Sequence, residues 1–272
     1  MRPRALPLLL LAPLLVGCAA PLPAEDAPPA AAAATIEFVG CVEHQWFGTA
    51  AREPAERHLP AGFALGSFDG VGIVPGWTGV LYECADHVVN GTSAGPVVEA
   101  LALLFVQPPD ALEIQNGTRV GGYALVLAYG STSPAVASAL GAIGIPVIAL
   151  DSGAVATHET APGLATGEGG ASGGLVVEER VVERGEPAPW EGRFVRAFGV
   201  GELREGAAVV GWFDAWVPDR QVVQDAAAQF RLDGLSGPAA EIIEPHAGPA
   251  LAVGWRNAPG VNYALTLHRV EP

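Results

Sequence analysis

Two short segments repeat one local arrangement of metal-capable side chains, Cys41-Val42-Glu43-His44 and Cys84-Ala85-Asp86-His87. Two cysteines and two histidines are a donor set for tetrahedral zinc, through thiolate sulfur and imidazole nitrogen. Positions i and i+3 of an extended strand point to opposite faces, however, so a strand setting works against either unit closing on one ion. In an oxidising compartment Cys41 and Cys84 would instead pair as a disulfide, worth about 4 kcal/mol in the loop-entropy account, and this is the expected arrangement. Buried free thiols are the third. Disulfide and metal alike require the two segments to be neighbours.

A second constellation is Gly91-Thr92-Ser93-Ala94-Gly95, which matches the nucleophile-elbow pattern and comes after a strand-like run, with Asp151 and then His246 or His268 downstream in hydrolase order. Ser93 would be the nucleophile. Against this, the chain holds 35 glycines, so glycines flanking a serine at those spacings arise readily by chance. The run after Pro96 also reads as a strand, where the elbow needs a helix. His58, His158, His246 and His268 have no metal-type spacing and are expected as surface or hydrogen-bonded core residues. Trp212 and Trp216 share one strand face; core packing is expected of them before a ligand pocket.

The elements that must position these residues begin with an address. Arg2 and Arg4 precede a Leu-rich stretch from Leu6 to Val16 that is too short to span a bilayer, for which about 20 apolar residues are needed. Leu15-Val16-Gly17-Cys18 resembles the lipobox of exported bacterial lipoproteins, with cleavage before Cys18 and lipid on its thiol. Residues 1–17 are thus expected to be a signal peptide, and residues 18–35, rich in Pro and Ala, a lipidated tether. Residues 36–272 form one β-rich domain, held at the cell envelope and facing the periplasm or the exterior. Ala19, rather than Asp, after the lipidated position favours the outer membrane.

The chain has 272 residues, of which 50% are apolar, enough to bury a real core. Its formal charge is −15, which repels phosphate backbones and sets nucleic acid aside as a partner. All 14 of its Lys+Arg residues are Arg. Runs of alternating or β-branched residues between Gly, Pro and Asn-Gly punctuation predict strands near 36–44, 70–73, 79–89, 97–106, 123–129, 146–150, 175–182, 194–201, 207–216, 224–232, 251–255 and 263–270. Asn90-Gly91 between two such runs predicts a tight hairpin. One helix is well marked, with Ser133 as cap, Pro134 in the first turn and Gly144 as stop, and a weaker one is expected over 53–59. The fold class is therefore mainly β, an antiparallel barrel or double sheet with one or two helices packed on it. The glycine-rich segment from Gly163 to Gly174 is expected to be a connector.

Four fragments in order point the same way: Leu59-Pro60-Ala61-Gly62-Phe63, Gly95-Pro96-Val97-Val98-Glu99, the helix over 134–143, and Gly144-Ile145-Pro146 leading into a strand. Over residues 50–155 the chain thereby resembles the acetoacetate decarboxylase-like family of antiparallel β-barrels. The resemblance implies a catalytic lysine whose amine condenses with a ketone just after the Gly-x-Pro segment. Those places hold Val147 and Ile148, and no lysine exists anywhere to replace it. Lysine-dependent decarboxylation is excluded by inventory. Of the family's functional residues only Glu99 carries over, as a pocket residue beside Val147 and Ile148, or simply as a carboxylate paired with Arg or water.

The expectation is a membrane-anchored receptacle for a small apolar or organic-acid ligand, without cofactor, and of undetermined oligomeric state. Its rivals are a hydrolase or lyase that uses Ser93 or Glu99, and a structural or interaction lipoprotein with a filled barrel.

Overall fold

The computed structural model describes residues 32–67, 74–114, 119–150, 155–158, 161–166, 176–183, 187–233, 235–243, 250–257 and 260–270. Cys18 and the leader, the strand expected over 70–73, Asp151, His246 and most of the glycine-rich segment lie outside them.

Seven strands close a barrel: β1 (Ala32–Thr49), β2 (Gly76–Val89), β3 (Val97–Gln107), β4 (Val120–Ser131), β5 (Arg193–Gly199), β6 (Gly211–Val217) and β7 (Val261–Arg269). Each pairs with the next, and β7 and β2 both pair with β1. All these pairings are antiparallel except β4 with β5, which is parallel. Parallel neighbours need a long crossover, and the chain between β4 and β5 leaves the barrel to build a helix and outlying strands. β1 begins at Ala32, so the last residues of the expected tether are barrel: Thr35 lies opposite Thr266 and Ile36 opposite Leu265. Their ladder hydrogen bonds come from the backbone, which an Ala-rich composition does not reveal.

The strand sequences explain their burial. β3 reads VVEALALLFVQ and is buried on both faces, as a near-continuous apolar run demands. Its inward residues Leu101 and Leu103 join Phe38, Tyr129, Phe213 and Leu265 in the barrel interior. Its outward residues Ala100, Leu104 and Val106 join an outer cluster with Trp46, Trp77 and Phe198. Three short helices are described: α1 (Arg52–Arg57), α2 (Pro134–Ala142) and α3 (Pro238–Ile242). Ala55 of α1 and Ile242 of α3 seal the outer cluster, whereas Val136 and Leu140 of α2 pack into the inner one. α2 starts as its sequence predicts, with Ser133 Oγ accepting from Val136 N at 3.3 Å. It stops at Gly144, φ +82°, where an added Cβ would meet Val210 at 2.5 Å. α3 has too few residues to leave a periodic signal, and it is the helix the sequence does not announce.

β1 changes partner along its length. Ala32 to Cys41 pair with β7, a shift in register occurs after Phe38, and His44 to Phe47 pair with the strand Ala250–Asn257. Gly40 occupies the shift with φ +65°, and its N–H donates to Asn262 Oδ1 at 2.9 Å. The strand Ala250–Asn257 continues outward into Arg220–Asp233, Val176–Glu183, Ala161–Thr166 and Val155–His158. The split carries the barrel wall into this side sheet, and Arg220 from the side sheet reaches back to the barrel interior.

Candidate functional site

The barrel interior is not filled. A void of about 850 Å³, open solvent at its mouth included, is walled by inward side chains from all seven strands, among them Leu101, Leu103, Val195 and Phe213. The enclosed part is much smaller than that figure, which counts open solvent. The wall is mostly apolar because an inward position on a barrel strand recurs every second residue, and those positions carry Leu, Val, Phe and Ala here.

Against that apolar wall stands one compact polar group. Glu43 of β1 and Arg220 form an ion pair at 2.7 Å, with side chains only 4% and 3% exposed. Tyr263 of β7 donates its hydroxyl to Glu43 Oε2 at 2.6 Å, and Arg220 Nη1 donates to the Tyr263 oxygen at 3.1 Å. Burial, reinforced by the Glu43 carboxylate, pushes both Tyr82 and Tyr263 above the ordinary phenol range, so both stay neutral. Burial alone would lower Arg220, but Glu43 and the phenols outweigh it and hold the guanidinium charged. Among the described residues Arg220 Nε has no hydrogen-bond partner.

Glu99 sits on the inward parity of β3, wholly buried, directly across from Tyr82 on one side and Ser131 on the other. Ser131 Oγ donates to Glu99 Oε1 at 2.6 Å, and among the described residues Oε2 has no hydrogen-bond partner. Burial pushes the carboxyl up to about 8, against the opposing pull of the Ser131 and Tyr129 hydroxyls, so at neutral pH Glu99 carries its proton. Val147 packs against the inner cluster, while Ile148 packs against the outer one beside β4. The residues lining the void do not include Glu99, Val147 or Ile148.

Cys41 and Cys84 face each other across β1 and β2 and are joined in a disulfide. Their sulfurs are therefore not metal ligands, and His44 and His87 have other roles. His44 stacks near Trp46 with ring centroids 6.4 Å apart. His87 is buried, its Nδ1–H donating to the Gly95 carbonyl and its Nε2 accepting from Ser133 Oγ, both at 2.7 Å. Among the described residues no cluster of His, Cys, Asp and Glu is suited to a metal ion.

Ser93 lies beyond the Asn90-Gly91 turn, whose two residues have φ +50° and +79° as a tight hairpin requires. It is exposed, and its Oγ donates to Asp86 at 2.9 Å. Asp86 also accepts from the N–H groups of His87 and Gly95, each at 2.8 Å. The Ser93 bond above all holds the Asp86 carboxyl below its ordinary value. After Ser93 the chain enters β3, not a helix, so the elbow geometry is missing. His268, offered by the sequence as a triad base, stacks on Trp212 at 5.2 Å and lies 3.4 Å from Asp214 on the outward side of β6. Trp216, 38% exposed, lies against Phe194 with centroids 4.7 Å apart.

Glu43, Tyr82, Tyr263 and Arg220 escaped the sequence reading. One signal was present: Glu43 shares inward parity with Cys41, and Tyr82 with Cys84, so strand alternation alone puts a carboxylate and a phenol on the same interior face as the disulfide. Arg220 carried no such signal.

No protein-family model matches the chain, and no curated protein does. Solved structures do. The enduracididine biosynthesis enzyme MppR, complexed with the condensation product of pyruvate and imidazole 4-carboxaldehyde, is 13% identical over 89% of this chain and 88% of its own, with a TM-score of 0.53. Acetoacetate decarboxylase from Legionella pneumophila is 12% identical over 96% and 98%, with a TM-score of 0.49. An acetoacetate decarboxylase-like enzyme from Sphingomonas wittichii RW1 is 12% identical over 87% and 92%, with a TM-score of 0.46. The fold is shared with MppR. At these identities a shared fold says how the chain is wound and leaves its chemistry to its own residues.

Proposed function

We propose that this chain is an extracytoplasmic lipoprotein, anchored through lipid on Cys18, whose decarboxylase-like barrel binds a small apolar or organic-acid molecule without Schiff-base catalysis. The observation that carries the reading is a mostly apolar void lined by all seven barrel strands in a chain without a single lysine. An iminium needs a primary amine, and the positions at which the family resemblance places one hold Val147 and Ile148. A barrel core closed by side chains would have favoured a purely structural role; an apolar hollow with a buried polar group favours a ligand.

The leader supports the address. Cleavage before Cys18 and acylation of its thiol would place the domain outside the cytoplasm, where the Cys41–Cys84 disulfide persists. Among the described residues no helix is long and apolar enough to cross a membrane, and a lipid anchor does not need one.

The test has two arms. Ligand-detected NMR of the mature chain against a panel of small apolar compounds and organic acids is expected to find binders that Leu103→Trp, which fills the void, no longer holds. Release of carbon dioxide from acetoacetate is expected to stay at the uncatalysed rate. Turnover of acetoacetate, or a panel with no binder displaced by Leu103→Trp, would refute the reading. Intact mass of the exported protein checks the anchor, with Cys18→Ala losing the acyl chains.

A further inference from the structure

Most of the half-exposed residues that line the void gather at one end of the barrel. Gly122 and Tyr123 lie near the start of β4, Trp190, Arg193 and Val195 around the start of β5, and Val217 at the end of β6. This end is the mouth. The other end is shut by α2, whose Val136 and Leu140 are wholly buried in the cluster that also holds Ile36 and Phe38.

Strand pairing fixes the pole at which the chain enters. Tyr123 lies opposite Val106 near the end of β3, Leu104 opposite Trp77 at the start of β2, and Thr78 opposite Phe47 near the end of β1. β1 therefore ends at the mouth and starts, at Ala32, on the closed pole. Cys18 is tied to the domain through Ala32. From Ala32 to the void-lining Gln45, at about 3.3 Å per residue and a tilt of about 40°, the mouth stands about 33 Å along the barrel axis from the point of attachment. A flexible chain the length of residues 19–31 averages about 20 Å end to end, and a Pro-stiffened one reaches further but does not double back. In both regimes lipid on Cys18 would hold the closed pole, and not the mouth, toward the bilayer.

The rim of the mouth agrees with that orientation. Arg119 and Glu191 form an exposed ion pair at 2.7 Å, and the exposed Asp219 accepts from Gly192 N at 2.5 Å. Such charges resist transfer into hydrocarbon. Trp216 and Val74 are exposed at this end too, but scattered apolar side chains among charges do not make a bilayer-docking face.

We infer that the barrel opens to the aqueous phase at the pole opposite its lipid anchor, so that its ligand is a solute of the surrounding fluid and not a lipid drawn from the bilayer. This rests on the lipoprotein receptacle reading above and names the source of what it binds.

The test uses the mature, acylated chain in vesicles of phosphatidylethanolamine and phosphatidylglycerol. Thr92→Cys places a thiol on the closed pole, just past the end of β2, and Glu191→Cys places one at the mouth; both positions are exposed. Cys41 and Cys84 are joined to each other and do not compete for label. With a donor dye on the thiol and an acceptor lipid in the bilayer, transfer from Thr92→Cys is expected to be about threefold stronger, given the ~33 Å difference in height. Val195→Cys, inside the mouth, is expected to react with a charged methanethiosulfonate as fast on vesicles as in the unacylated Cys18→Ala chain. Thermal unfolding of each variant near the wild-type temperature certifies the barrel. Equal transfer from the two dyes, stronger transfer from Glu191→Cys, or reaction at Val195→Cys slowed severalfold on vesicles overturns the inference and leaves the receptacle reading standing. No reaction at Val195→Cys in either form overturns it as well, by placing the opening elsewhere. Failure of the underlying reading shows differently, as an intact mass without acyl chains or a panel with no binder displaced by Leu103→Trp, and takes this inference with it.

Discussion

Arg220 Nη1 lies 2.7 Å from Glu43 Oε2 with both side chains all but removed from solvent, so the barrel interior contains a desolvated ion pair inside an apolar hollow. The pair joins β1 to the side sheet at the place where β1 exchanges β7 for the strand Ala250–Asn257.

Because both charges have left water, removing one partner should be far worse than removing both. Arg220→Met is expected to cost about 3–5 kcal/mol in urea unfolding, since it strands the Glu43 carboxylate. Glu43→Gln with Arg220→Met together should recover most of that loss. Additive losses in the double variant would show that the two side chains act separately.

Glu99 makes stability depend on pH. Its carboxyl is raised from 4.5 to about 8 in the folded barrel by burial. The folded state therefore keeps a proton that the unfolded chain gives up, and stability falls as pH climbs through that window. The full excursion is on the order of 5 kcal/mol. Glu99→Gln has no proton to lose, so its stability relative to wild type should be level below pH 4.5 and improve steadily toward pH 8. Chemical denaturation across that range checks it, and a difference that stays flat or shrinks contradicts it.

The Cys41–Cys84 bond ties β1 to β2 in the middle of their longest pairing. Replacing both by Ala should lower stability by about 2–4 kcal/mol without abolishing the barrel. Non-reducing mass spectrometry of the protein purified without reductant should find no free thiol at either position.

Ser93 holds a hairpin together through Asp86. A fluorophosphonate probe should not label it, and Ser93→Ala should change unfolding by at most about 1 kcal/mol, the worth of one exposed hydrogen bond. Labelling abolished by the substitution would restore the hydrolase alternative.

Local signals were legible wherever a residue's neighbours in sequence are also its neighbours in space. The Asn90-Gly91 turn, the Ser133 cap, the Gly144 stop and the strands from 79 onward through 129 all have that property. The strand expected over 207–216 begins instead at Gly211; Val210 still bonds to both neighbours, its N–H donating to Gly199 O at 2.9 Å and its carbonyl accepting from Val270 N at 3.0 Å, while its side chain packs over Gly144. The strand expected over 146–150 shrinks to Ile148–Ala149, which pairs with β4 at Gly130 and Ser131. Propensity reports that a segment favours extension, and only a partner edge makes it a strand.

The amino-acid sequence by itself determined the lack of any primary side-chain amine, the alternation that makes a barrel, and the parity that turns Cys41, Glu43 and Glu99 inward. These properties come from composition and from the two-residue period of a strand. Tertiary structure alone decided that the interior stays hollow and that Arg220, from a strand outside the barrel, meets Glu43 there. Packing volume and ion pairing depend on how distant strands close on one another, and no window of neighbouring residues contains that closure.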